Sequence, residues 1–123
     1  RTAHQVIELI KNSESNGCKL FIAAAGMAAH LAGAVAAHSL KPVIGIPIES
    51  GGLGGLDSLL STAQMPPGIP VATVAVGKAG AKNSAILAIQ MLAISDEALA
   101  EKMSDFRQNM TNEVLEKNKK LNS

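Results

Sequence analysis

Three times the chain passes from a short apolar run, through a loop of small residues, into a helical pattern. The runs are "CKLFIAAAG" (18–26), "PVIGIPI" (42–48) and "VATVAV" (71–76). Each has strand length and is apolar on both faces, as a strand buried in a parallel sheet must be. The loops "AAAGMAAHL", "ESGGLGGLDS" and "GKAGAKN" follow, and helices are expected over about 28–38, from Asp57 to Gln64, and along "SAILAIQMLAI". Strand, loop and helix repeated in this order predict an α/β domain with a parallel sheet and right-handed crossovers.

The flanking segments fit that frame. "TAHQVIELIKN" (2–12) carries Val6, Ile7, Leu9 and Ile10 at helical spacing, with Gly17 as its stop. "QMPPGIP" (64–70) cannot continue a helix and makes a rigid entry to the third run. Ser95 and Asp96 are the expected caps of a last, long helix, in which Leu99, Met103, Phe106, Met110 and Val114 form one apolar stripe that docks on the body or on a neighbouring subunit. Nothing divides the 123 residues, so one domain over 1–123 is expected.

Composition narrows the function. With 47% hydrophobic but only 2% aromatic residues, the core is aliphatic and closely packed, and the mixed charges, net +1, leave no footprint for nucleic acid or an anionic membrane. The apolar runs are well short of the ~20 residues a membrane span needs. A single cysteine, Cys18, excludes an intramolecular disulfide, which fits a cytoplasmic protein.

In open parallel sheets ligands bind at the carboxyl ends of the strands, where all three small-residue loops fall. Glycine and alanine there let a ligand approach the main chain, and helix-start amides favour anions. "GKAGAKN" is not the phosphate loop of nucleoside triphosphatases, and "GGLGGLDS" lacks the dinucleotide glycine spacing. His4, His30 and His38 have no metal-ligand spacing. His30 is either a structural histidine or the one polar group its loop offers a ligand. His38 reads as a partner of its helix's C-terminal dipole, His4 as solvated, Cys18 as a small buried side chain, Asp57 as a cap or a site carboxylate, and Lys78 as either a solvated loop lysine or one that faces a phosphate.

"AGMAAHLAG", "PVIGIPI", "GLDSLLSTAQMPPGIPVATVAVGKAGAKN" and the final "EVLEK" resemble the family of N5-carboxyaminoimidazole ribonucleotide mutases and phosphoribosylaminoimidazole carboxylases, from Arg1 to about residue 117. The resemblance implies a flavodoxin-like three-layer domain, a homo-octamer with sites at subunit contacts, and no metal or organic cofactor. It implies a purine-biosynthesis reaction in which N5-carboxyaminoimidazole ribonucleotide loses its carbamate carboxyl as CO2, which is recaptured at C4 to give 4-carboxyaminoimidazole ribonucleotide. By position, Arg1 matches the arginine that contacts the substrate phosphate; Gly26, Ala28, Ala29, His30 and Leu31 match the pocket loop, with His30 in its proton network. "MAAHL" is similar to the mutase class, where the direct carboxylases have Arg-Ser-Asn. The alternatives are direct carboxylation of aminoimidazole ribonucleotide by CO2 and a noncatalytic ribonucleotide-binding fragment.

The chain departs from the family pattern at Met27, where glycine is usual, and at Ala32, where proline is usual. Met27 is expected either to narrow the pocket or to pack behind it. The family also places its principal acid/base histidine just before the residue matching Arg1, after a βαβ unit of about 30 residues or more. The native chain is therefore expected to be longer, and the strand "LFIAAA" to show an apolar flank without that unit.

Overall fold

The computed structural model describes residues 1–122. Helix α1 (Ala3–Ser15) is followed by strand β1 (Phe21–Gly26), helix α2 (His30–His38), strand β2 (Val43–Ile48), helix α3 (Leu56–Ala63), strand β3 (Ala72–Thr73), helix α4 (Lys78–Ala93) and helix α5 (Glu97–Leu121). The strands form one parallel sheet in the order β1-β2-β3, with Phe21 opposite Val43 and Ile44 opposite Ala72. This is the expected α/β architecture, of the flavodoxin-like type. Two compact units are distinguished, Arg1–Ala88 and the segment from Ile89 onward.

In the first unit the core lies between helices and sheet. Ile10 of α1, Ala32, Val35 and Ala36 of α2, Ala23 of β1 and Val43 of β2 are buried together, with Val6, Phe21 and Val71 packed against them. Seven of these nine side chains are valine or alanine, so close approach replaces bulk. Gly45 is the clearest case: a Cβ there would stand 2.4 Å from the Thr62 methyl of α3 and 3.2 Å from Cβ of Ala32. The opposite face of β2 is covered as well, with Ile44 wholly buried. β1 is an edge of the sheet, and Ile22 and Ala24, on the face opposite the core, are exposed.

Several boundaries differ from the sequence-based expectation. The third strand pairs only over Ala72–Thr73, although Val74 and Gly77 still donate to the carbonyls of Gly45 and Pro47. "GKAGAKN" is not a loop: α4 begins at Lys78, six residues before the expected start. Its glycine serves packing, since a Cβ on Gly80 would stand 1.6 Å from the carbonyl oxygen of Ala75. Lysine and alanine around it favour the helix once that contact is made. The cap of α3 is Gly55, left-handed at φ 83°, and not Asp57. The α1 stop is as expected, with Gly17 at φ 85° just past the helix end.

In the second unit Asp96 caps α5 by accepting a hydrogen bond from the Leu99 amide at 3.1 Å. No residue of α5 is buried; Phe106, Met110 and Val114 of the expected stripe are all exposed. Among the described residues no helix is long and apolar enough to cross a membrane.

Candidate functional site

The carboxyl ends of the three parallel strands carry the segments 27–29, 49–55 and 74–77. Two of them are held against each other, because Ser50 sits over Gly26: a Cβ on Gly26 would lie 2.0 Å from the Ser50 hydroxyl and 3.1 Å from the Ile48 carbonyl. A side chain at position 26 would displace Ser50. The turn out of β1 is tight, with the Ala29 amide donating to the Gly26 carbonyl at 3.0 Å. It holds two non-glycine residues at positive φ, Met27 at 54° and Ala29 at 41°. Such residues are sterically disfavoured there and recur at functional turns.

The strain at Met27 falls where the resembling family carries glycine, which takes that conformation without penalty. It is 63% exposed and is not among the residues that line the groove described below. Ala29 is buried while Ala28 is exposed. Ser61 of α3 donates to the Asp57 carbonyl at 2.7 Å and lies 3.5 Å from that of Met27. Asp57, in the first turn of α3, keeps one buried carboxylate oxygen, Oδ1, without a partner.

The turn delivers His30 to the start of α2, beside the start of α1. A groove of about 300 Å³ runs between the two helices, and Arg1, His30 and Leu31 all line it. The helices run in the same sense: their amino ends share this groove, while past their carboxyl ends Ser39 donates to the Glu14 carboxylate. Neither amino end has a side-chain cap, at Thr2 or at Ala29, so free helix amides collect where Arg1 and His30 stand. A guanidinium, two helix starts and an imidazole, with no acidic residue in the lining, give that end the chemistry an anion requires.

Of the six residues singled out in the sequence, three line one groove. Gly26, Ala28 and Ala29 do not line it; they form the turn that aims His30. Sequence reasoning missed Thr2, Ala3, Val6, Ile7, Ala34 and His38, which complete the wall. For α2 a signal existed, because His30, Ala34 and His38 are spaced i, i+4, i+8 and so share a ridge. His38 does meet its helix's last turn as expected, its Nδ1 lying 2.8 Å from the Ala34 carbonyl. Lys78 opens α4 and is exposed, as is His4. Cys18 is half-buried and donates to the Leu20 carbonyl at 3.0 Å.

A larger recess of about 920 Å³ lies at the opposite edge of the sheet, lined by Ser39, Lys41, Pro42, Ile69 and Pro70 among others. It faces the amino ends of the strands, away from the turns at their carboxyl ends, so size alone does not make it the site.

Comparison with known proteins identifies the family. A sequence model of the family described as AIR carboxylase matches residues 1–113. The N5-carboxyaminoimidazole ribonucleotide mutase of Escherichia coli (strain K12) is 50% identical over 116 residues, covering 94% of this chain and 69% of that protein. The protein of the same name from Bacillus subtilis (strain 168) is 48% identical over 121 residues, 98% of this chain and 75% of its own. That from Saccharolobus solfataricus is 52% identical over 115 residues, 94% of this chain and 72% of its own. A match that runs through the strands, the glycine turns and both groove helices is a match of the whole α/β body. The chain belongs to the AIR carboxylase family.

Proposed function

We propose that this chain belongs to a purine-biosynthetic enzyme that converts N5-carboxyaminoimidazole ribonucleotide to 4-carboxyaminoimidazole ribonucleotide. The carrying observation is the juxtaposition of Arg1 and His30 at two uncapped helix starts, in a chain half identical to mutases over nearly its whole length. Arg1 binds the 5′-phosphate. Gly26, Ala28 and Ala29 supply a turn narrow enough for substrate to approach main chain, and Leu31 keeps the wall apolar.

The chemistry sets what the residues must do. The carbamate N–C bond breaks and its electron pair stays on nitrogen, which takes up a proton. C4 then bonds to the released CO2 and gives up its own proton. The net movement is one carboxyl group and, in the opposite direction, one proton, so the site needs a group that holds a proton between two positions and a pocket that retains CO2. His30, alone among polar side chains at its turn, is the residue of this chain suited to the proton. A homo-octamer, with neighbouring subunits closing the site, and a cytoplasmic location accompany this reading; the exposed stripe of α5 and the single free cysteine are in keeping with them.

A second reading has its own support, since the family's description names a carboxylase. There, aminoimidazole ribonucleotide takes CO2 directly. One assay separates the two: the protein is supplied with the carbamate ribonucleotide, or with aminoimidazole ribonucleotide and bicarbonate, and 4-carboxyaminoimidazole ribonucleotide is followed chromatographically. Formation from the carbamate alone supports the mutase, and loss of that turnover in His30→Asn supports the role given to His30. Formation only with bicarbonate replaces the mutase by the carboxylase. Binding without turnover from either leaves a noncatalytic ribonucleotide-binding protein.

A further inference from the structure

We infer that Glu14 and Ser39 are positioning residues of the groove: their hydrogen bond clamps α1 to α2 at the carboxyl ends and so sets Arg1 against His30 at the amino ends. The clamp joins side chains 25 positions apart. Gln108 with Asn112, and Lys119 with Glu116, in contrast, pair within single turns of α5. The geometry of the clamp is fixed by its neighbours. Ser39 is the C-terminal cap residue of α2, extended at φ −139° and ψ 146°. Its hydroxyl oxygen accepts from the Lys41 amide at 3.0 Å, which turns the hydroxyl proton toward the Glu14 carboxylate. A hydrogen bond to a carboxylate is stronger than one between neutral groups.

α1 is held toward its carboxyl end. Ile10 is buried in the core with Val35 and Ala36, and Glu14 is half-buried, whereas residues 1–5 are all exposed. Along the groove the lining side chains, Val6 and Ile7 on α1 and Leu31 and Ala34 on α2, are apolar. Apolar contact is non-directional and leaves the angle between the helices open; the clamp supplies the direction. From Ala3 to Glu14 the helix runs about 16 Å, so a pivot of about 5° at Glu14 moves its amino end by about 1.5 Å. His30 is placed separately, by the turn out of β1 with Gly26 beneath Ser50. The clamp therefore acts on Arg1 and the anion it holds. Glu14 and Ser39 themselves line the recess at the amino ends of the strands, remote from the substrate's place at that turn, and touch no substrate. The inference rests on the ribonucleotide reading above and adds the residues that hold its phosphate-binding helix in place.

The test compares Ser39→Ala and Glu14→Ala with the conservative Glu14→Gln, in steady-state kinetics and by NMR. Breaking the clamp is expected to raise KM for N5-carboxyaminoimidazole ribonucleotide by about 3- to 10-fold, the worth of one partly exposed hydrogen bond, with kcat within about twofold. Glu14→Gln, which keeps an acceptor for the Ser39 hydroxyl, recovers most of the loss. The double variant Ser39→Ala/Glu14→Ala loses no more than either single one, and Ser39→Ala adds nothing to the loss in Arg1→Ala, because the clamp works through Arg1. Without any ligand, the backbone amide signals of Thr2 and Ala3 are expected to move in Ser39→Ala, at the far end of α1 from the substitution. An unchanged KM, a loss that adds in full to that of Arg1→Ala, or unmoved Thr2 and Ala3 signals overturns the inference and leaves the mutase reading intact. Absence of turnover in the unaltered protein overturns the mutase reading, and the amide signals then decide the inference by themselves.

Discussion

Ile22 and Ile44 face each other in register on β1 and β2 and project from the same face of the sheet, yet Ile44 is wholly buried and Ile22 is 45% exposed. The difference is one of position. β2 lies between two strands with both faces covered, whereas β1 is an edge, covered on the face of Ala23 and open on that of Ile22. The candidate site hangs from the less supported strand, since the turn that carries His30 leaves β1. β2 is the support against which that turn is set, through Gly26 and the Ser50 that follows β2. Rigidity and function are thus divided between two neighbouring strands that are both apolar.

That division can be broken experimentally. Ile44→Ala empties a fully buried position and is expected to cost about 2–5 kcal/mol in chemical denaturation. A loss below 1 kcal/mol would show that β2 is not the spine. Gly45→Ala pushes a methyl into Thr62, Val71 and Ala32, and overpacking of this kind costs about 1–3 kcal/mol. Gly26→Ala collides mainly with the tip of one side chain, Ser50. Turnover is expected to fall further than stability, with partial recovery in the double variant with Ser50→Gly; a large fall in stability without such recovery would place Gly26 in the support and not in the site. The edge gives the smallest effects. Ile22→Ala is expected to cost less than about 1 kcal/mol, because nearly half the side chain is already in water. Met27→Gly relieves a positive φ at some entropic cost in the unfolded chain, so a net gain below about 1 kcal/mol is expected in thermal melts.

Much of this was legible in the residues. The apolar runs named the strands, Gly17 named the end of α1, and Asp96 the start of α5. These signals are local: a strand's apolar run, a glycine's freedom at positive φ and a carboxylate's reach to the Leu99 amide are properties of a few neighbouring residues. "GKAGAKN" misled for the opposite reason. Its Gly80 reads as a loop glycine, but what demands it is the Ala75 carbonyl against the helix.

The site divides in the same way. The sequence by itself determined the parallel α/β body, the anion-friendly turns and the candidacy of His30, because each depends on residue type and short spacing. Only the tertiary structure decided that Arg1 and His30, 29 positions apart, stand on one groove, and that His38 joins them while Gly26, Ala28 and Ala29 stay behind in the turn. Packing of α1 beside α2 sets those distances, through side chains such as Ile10 and Val35 that carry no chemistry of their own. A long-range distance is a sum of many such contacts, and no local pattern contains it.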